Sequence, residues 1–280
     1  MGKLIDCKQI ASKIKSEVKA EVETLNRVPH LVVIIVGEDK ASEVYVRNKH
    51  RVCEEVGIKS TIIKMPSDIT QDDLTWTIKK LNYDKDVHGI LLQLPLPGHL
   101  NEAEAIDVIN PLKDVDGLHP YNAGLLSIGH KNAIKPCTPS GVMRIFEELD
   151  YDLTGKDVAI VGRSNLFGKP MAQLILQANG TPSICHSKTA DLSYYTYFAD
   201  VLIVAVGNPK MITSSDVEHN DIIIDVGINR TENGLCGDVD TDDVIDCCDY
   251  ITPVPGGVGV LTTAMLMKNV LQCYHMQGEK

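Results

Sequence analysis

Twice along this chain of 280 residues, short apolar runs alternate with amphipathic ones, and that rhythm restricts the fold more than any other feature. In the first half, "LVVIIVG" (31–37), "STIIKM" (60–65) and "VHGILLQLPLP" (87–97) read as buried strands. Between and after them, "SEVYVRNKHRVCEEVG" (42–57), "TQDDLTWTIKKLN" (70–82) and "NEAEAIDVIN" (101–110) read as helices. Ser42 is the expected cap of the first and Gly57 its stop; Thr70 caps the second, with Asp73 at the capping-box position. From Asp152 onward "KDVAIVG", "TPSIC", "VLIVAVG" and "DIIIDVG" repeat the pattern. Strands that are apolar throughout and joined by helices rather than hairpins predict a parallel sheet covered on both faces. The expected class is α/β with two domains, an N-terminal α/β three-layer domain and a Rossmann-like, doubly wound parallel sheet.

The stretch from Lys113 to Thr138 breaks the rhythm, mixing Gly, Pro, Asn and Asp with many apolar residues. It reads as an ordered, functional loop. "TPSGVMRIFEELD" (138–150) then opens a helix, with Thr138 as cap and Pro139 in the first turn. The domain junction is expected here, giving residues 1–138 and 139–261 as the two domains, followed by a last amphipathic helix over 262–280.

A net charge of −11 argues against nucleic acid or an anionic membrane as the main partner, because the long-range field repels both. No segment approaches the ~18 consecutive apolar residues of a membrane span. The opening "MGKLIDCKQIASK" lacks the apolar core of a signal peptide, and Asp6 fails the myristoylation pattern. Eight scattered cysteines without C-x-x-C, two of them adjacent at Cys247 and Cys248, read as reduced thiols in a cytoplasmic protein. The nine histidines show no ligand spacing, so no metal is expected.

"VGRSNLFGKP", from Val161, stands where a nucleotide-binding turn would join a strand to a helix. The usual G-x-G-x-x-G is altered: Ser164 takes the middle glycine's place and the last glycine shifts to Gly168. Backbone N–H groups at a helix N-terminus still attract a phosphate, and the Ser164 hydroxyl adds a further donor. Folds that prefer NAD carry Asp or Glu about 20 residues past the first glycine, to bind the ribose hydroxyls. Here the strand tip offers His186, Ser187, Lys188 and Thr189, and the first acid is Asp191. With Arg163 in the turn, these donors read as an NADP site, the alternative being an ordinary solvated Ser and Lys ending a strand.

In the first half, Tyr45 and Lys49 are spaced i, i+4 and share one helix face. A lysine near an aromatic edge in an apolar cleft can be tuned into a usable acid or base, although the same spacing is common on solvated faces. Y-x-x-x-K also marks short-chain dehydrogenases, but there the glycine turn comes first, whereas here it follows the pair by more than a hundred residues. Gln93 lies at the C-terminal end of "GILLQLPLP", the edge where open parallel sheets bind ligands. Asp114 and Asp116 sit in "KDVDG", where a carboxylate could accept two parallel N–H groups of an amino-heterocycle; the bland reading of Asp-Gly is a turn.

Taken in order, "VGEDKASEVYVRNK", "GILLQLPLP", "KDVDGLHPYNAG", "PCTPSG", "VGRSNLFGKPM", "CHSKT", "DVGIN" and "PVPGGVGVLTTAMLM" resemble the bifunctional methylenetetrahydrofolate dehydrogenase/cyclohydrolase family, from about residue 36 to 267. The resemblance implies that NADP+ takes a hydride from 5,10-methylenetetrahydrofolate and that water opens the methenyl cation to 10-formyltetrahydrofolate, with the folate between two domains. It implies that the C-terminal helix packs back on the N-terminal domain and that the enzyme is a homodimer. Carried onto this sequence, Lys49 is the acid/base of hydrolysis, tuned by Gln93; Tyr45 stacks on the aminobenzoyl ring; Asp116 holds the pterin's amino face. Gly162, Arg163, Ser164, Ser187 and Ile228 contact the dinucleotide, and Leu94, Pro255, Gly256, Gly257 and Val258 border the folate. Phe167 departs from the family, which usually has a small aliphatic there, and a larger ring beside the turn could alter the cofactor's seat. Rival readings are a monofunctional or NAD-dependent member, a shikimate-type or amino-acid dehydrogenase, and a non-catalytic dinucleotide-binding module.

Overall fold

The computed structural model describes residues 2–38, 40–232 and 234–278, and for residues 40–42 the backbone only. Its elements in chain order are β1 (Lys3–Leu4), α1 (Cys7–Val22), β2 (His30–Val36), α2 (Lys40–Val56), β3 (Lys59–Met65), α3 (Gln71–Tyr83), β4 (Gly89–Leu92), α4 (Glu102–Val108), α5 (Pro120–Ser127) and α6 (Cys137–Glu148). There follow β5 (Asp157–Val161), α7 (Gly168–Gln177), β6 (Thr181–Cys185), α8 (Ser193–Tyr197), β7 (Val201–Val204), β8 (Asn220–Asp225), β9 (Asn229–Thr231), β10 (Gly234–Cys236), α9 (Thr241–Val244), β11 (Cys248–Ile251) and α10 (Val258–Met276).

The chain divides into two compact units. One comprises Lys13–Cys137 with Thr263–Lys280 and is built on a parallel sheet ordered β3-β2-β4. β2 is buried along its whole length, as an unbroken apolar run requires when both faces are covered. Val32, Ile34 and Val36 pack with Leu74, Ile78 and Leu81 of α3 and with Ala105 of α4. On the opposite face, Leu31 and Val270 of α10 crowd the same small space beside Gly89. The C-terminal helix is thus the third layer of this unit, and Gln277 at its end donates to the His88 carbonyl at 2.8 Å. The α3 cap follows the sequence: Thr70 and Asp73 exchange side-chain and backbone hydrogen bonds in a capping box.

The other unit comprises Met1–Ser12 with Thr138–Thr262 and carries a six-stranded sheet ordered β1-β11-β8-β7-β5-β6, every pairing parallel. Val161, Leu202, Val204, Ile223 and Ile251 belong to one of its buried cores.

Several local expectations are corrected. The first residues do not group with the front half: Lys3 and Leu4 extend the second sheet by pairing with Tyr250 and Ile251. A two-residue strand has too little pattern to announce its partner. α2 begins at Lys40, ahead of Ser42, and α6 at Cys137, so neither Ser42 nor Thr138 is a cap. The 113–138 loop contains α5, whose start is fixed by the His119 ring accepting from the Tyr121 N–H at 3.0 Å. β9 and β10 form an antiparallel pair that no turn signature suggested.

Candidate active site

β4 and the segment behind it bring three of the expected residues together. Gln93 directly follows β4, and its backbone N–H donates to the Ile34 carbonyl at 2.9 Å, so the sheet itself fixes its place. Its side-chain nitrogen donates to the Leu94 carbonyl at 2.7 Å, which turns Oε1 toward Lys49. Lys49 Nζ donates to that oxygen at 3.0 Å. Asp116 lies within electrostatic reach of the same ammonium group. Tyr45 is on α2, one turn before Lys49, and is 50% exposed, leaving its ring face open to a planar ligand.

The two acids of "KDVDG" have different fates. Asp114 is buried and its carboxylate is filled by donors of its own loop: the N–H groups of Leu118 (3.3 Å) and His119 (2.9 Å) and the Asn122 amide (2.8 Å). Lys113 is equally structural, its ammonium donating to the carbonyls of Leu81 and Asp84. Asp116 is half-buried, and among the described residues the hydrogen-bonding neighbour of its carboxyl is the Cys137 thiol at 3.8 Å. Desolvation pushes its pKa up and the Asp114 charge adds to the rise, while Lys49 and the thiol oppose them. A carboxylate with most of its acceptor capacity unspent is suited to paired N–H donors.

Two residues that the motif reading gave no role complete this site. Cys137 is buried, and burial first, then the Asp116 charge, drives its thiol pKa far up and keeps it neutral. Asn269 of α10 donates to the Val115 carbonyl at 2.8 Å and the Lys135 carbonyl at 2.9 Å, and approaches the Cys137 sulfur at 3.4 Å. It fixes the backbone beside Asp116 from more than a hundred residues away, a distance at which local sequence carries no signal.

The second unit assembles the remaining positions at the C-terminal ends of its strands. After β5, Gly162 has φ +126°, and a Cβ there would stand 2.4 Å from the Ala205 carbonyl oxygen, so only glycine fits. Ser164 Oγ accepts from the Phe167 N–H at 3.1 Å, which leaves the hydroxyl proton to donate outward. Arg163 and Ser164 are exposed, as an anion-binding turn at a helix start requires. Phe167 turns its ring inward, 5% exposed, and α7 starts directly after it. The departure from the family pattern is therefore absorbed by the core.

At the end of β6, a tight turn is closed by the Thr189 N–H on the His186 carbonyl and the His186 N–H on Thr189 Oγ1. It leaves Ser187 and Lys188 exposed. The first acid beyond, Asp191, accepts from the Tyr194 N–H at 3.2 Å at the start of α8. The tip presents a hydroxyl and an ammonium and no carboxylate, which fits a 2′-phosphate. Ile228, 48% exposed, lies against the first turn of α10: a Cβ on Gly259 would meet its Cδ1 at 3.2 Å. Pro255 is exposed and preceded by a cis peptide; Gly256 and Gly257 lead from it into α10 at Val258. Among the described residues, no cluster of His, Cys, Asp or Glu could hold a metal ion, and no helix is long and apolar enough to cross a membrane.

Comparison with known proteins identifies the family of the chain. Residues 5–116 match the family model described as tetrahydrofolate dehydrogenase/cyclohydrolase, catalytic domain, and residues 136–278 match the NAD(P)-binding domain of the same family. The bifunctional protein FolD of Methanosarcina mazei is 50% identical over 276 residues, which cover 97% of this chain and 96% of that protein. The crystal structure of the bifunctional FolD dehydrogenase/cyclohydrolase from Campylobacter jejuni superimposes with a TM-score of 0.97 at 45% identity, covering 99% of this chain and all of that one. The Trypanosoma brucei enzyme, solved with NADP and an inhibitor, gives 0.93 at 33% identity over 100% of this chain and 99% of its own. The chain belongs to the tetrahydrofolate dehydrogenase/cyclohydrolase family.

Proposed function

We propose that this protein oxidises 5,10-methylenetetrahydrofolate to the methenyl cation with NADP+ and hydrolyses that cation to 10-formyltetrahydrofolate. The observation that carries the reading is the Lys49–Gln93 hydrogen bond beside Asp116, on a chain whose relatives are bifunctional.

NADP+ supplies the hydride acceptor. Gly162, Arg163 and Ser164 would hold its phosphates, and Ser187 with Lys188 the 2′-phosphate, with Ile228 against the dinucleotide. The folate nitrogen lone pair expels the hydride and the product cation is conjugated, so this step depends on orientation rather than proton transfer. Asp116 accepts from the pterin's N–H groups, Tyr45 stacks on the aminobenzoyl ring, and Leu94 with Pro255, Gly256, Gly257 and Val258 borders the folate. Hydrolysis does require proton transfers, to deliver water to the cation and to break a C–N bond. Lys49 carries them: Gln93 accepts a hydrogen bond from its Nζ, which holds the amine in one place rather than letting the long side chain wander. Asp116 and the neutral Cys137 supply the rest of its surroundings.

A domain boundary near Thr138, a homodimer and a cytoplasmic location belong to the same reading. All eight cysteines are free, which suits a reducing compartment, and among the described residues β6 is an edge strand whose outer side could pair with a second copy. The deciding experiment follows methenyltetrahydrofolate formation and decay with NADP+ and with NAD+ in turn. Formation with NADP+ followed by decay is expected; no oxidation with either cofactor refutes the reading.

A further inference from the structure

Two buried carboxylates at the C-terminal ends of β7 and β8 have no role in the chemistry above. Asp238 is fully buried and accepts four hydrogen bonds. Its Oδ2 takes the N–H groups of Val206 (2.7 Å) and Gly207 (2.9 Å); its Oδ1 takes the Asn208 N–H (2.8 Å) and the Asn229 side-chain amide (2.8 Å). Three consecutive N–H groups converging on one anion form a nest of the kind that elsewhere binds a phosphate, here filled by the chain's own carboxylate. Asp225 acts in the same way, one layer deeper. Its oxygens accept from the N–H groups of Gly227 (2.9 Å), Asp238 (3.0 Å) and Val239 (2.9 Å), and so fix the backbone that carries Asp238.

Glycines make room for both. A Cβ on Gly227 would lie 2.2 Å from Asp238 Cγ, and one on Gly237 would lie 1.7 Å from Asp225 Oδ2. The loop after β7 therefore spends three successive donors inward while the side chains of Val206 and Asn208 face outward. Ile228 is held between Gly227 and Asn229, each tied to one of the two acids. These loops leave the strand ends at the edge where parallel sheets take their cofactors.

We propose that Asp238 is a positioning residue for the dinucleotide, building from inside the surface formed by residues 206–208 and Ile228 without touching the cofactor. This rests on the reading of the protein as an NADP-dependent dehydrogenase with a cofactor-independent hydrolytic step. An amide in place of the carboxylate would set an NH2 group against donors, opening the nest while keeping the volume.

The test compares wild-type and D238N full-length protein in three measurements: KM for NADP+ and kcat of oxidation, hydrolysis of methenyltetrahydrofolate supplied directly without nucleotide, and thermal melting. The expected result is a rise of ~10-fold or more in the KM for NADP+, hydrolysis within about two-fold of wild type, and a cooperative melt. Equal loss of both activities, or an unchanged KM, overturns the inference. If D238N fails to fold, Asn229→Ala, which removes one donor of the four, decides: a smaller but selective rise in the KM supports it, and an unchanged KM overturns it. Wild-type protein that oxidises no folate refutes the functional reading itself, a result separate from any variant's behaviour.

Discussion

Lys49 Nζ lies 3.0 Å from Gln93 Oε1, and that oxygen faces the lysine because the same amide's nitrogen is spent on the Leu94 carbonyl at 2.7 Å. A sheet-anchored amide thus orients a flexible ammonium group. The division of labour proposed for the two steps turns on it: in that proposal only hydrolysis needs a proton carried by Lys49.

Lys49→Met is expected to lower the hydrolysis rate by ~10²–10⁴-fold, the usual contribution of a positioned acid or base, while some of the oxidation survives. Separate assays of methenyl formation and methenyl decay measure the two. Equal losses would contradict the separation of roles, and retained hydrolysis would remove Lys49 from the mechanism.

Gln93→Glu places a carboxylate against the ammonium and favours its charged form. Hydrolysis is expected to fall by about an order of magnitude while oxidation changes less, because an ammonium held in an ion pair gives up and regains its proton less readily. Hydrolysis at the wild-type rate would mean that the position needs an acceptor of any charge.

These expectations could be framed from the sequence because the features that fix the site are mostly local. The strand of "GILLQLPLP" places Gln93 at its own end, and i, i+4 spacing places Tyr45 with Lys49. Parallel pairing was equally legible, since β2 is apolar throughout. Other features rest on contacts distant in sequence. The residues of "KDVDG" alone did not distinguish its two acids; the family resemblance pointed to Asp116, and Asn122 with the N–H groups of Leu118 and His119 occupies Asp114. Asn269 reaches the neighbouring backbone from α10, and β1 joins a sheet whose next strand, β11, lies at the far end of the chain. No window of sequence holds both members of such a pair.

Asp116→Asn exchanges an acceptor for an amide that can accept at one atom only. Hydrogen bonds to a charged group are worth about 1.5–3 kcal/mol, so the KM for folate is expected to rise ~10–100-fold for both reactions. Because burial raises the Asp116 pKa, wild-type affinity for folate should weaken on acidification at a higher pH than an ordinary carboxylate would dictate. Lys49→Met removes the positive charge that opposes this rise and should move the loss to still higher pH. Folate KM measured against pH in both proteins checks the order.

Ser187→Asp puts a negative charge on a strand tip that now presents a hydroxyl and an ammonium. Repulsion of the 2′-phosphate is expected to raise the KM for NADP+ by about ten-fold, with far less effect on NAD+. Unchanged selectivity would place the 2′-phosphate elsewhere.

Asp225 links the second unit to pH. Burial, with a smaller contribution from Asp238, raises its pKa from 3.8 to about 6 in spite of three backbone donors. Between these values the native state keeps a proton that the unfolded chain has released. The group's contribution to stability is therefore whole below the unfolded pKa and is lost as pH rises through the folded one. The difference amounts to on the order of 3 kcal/mol across that window. Other acids run the opposite way: backbone hydrogen bonds lower the pKa of Asp152 and Asp243, so their contributions grow as pH rises from acid. The total profile cannot separate them, but a variant can. Asp225→Asn does not titrate, so its stability relative to wild type should improve steadily as pH rises from about 4 to about 6 and level off above that. Chemical denaturation of the two proteins at matched pH values measures the gap, and a constant gap would mean that Asp225 ionises at the same pH folded and unfolded.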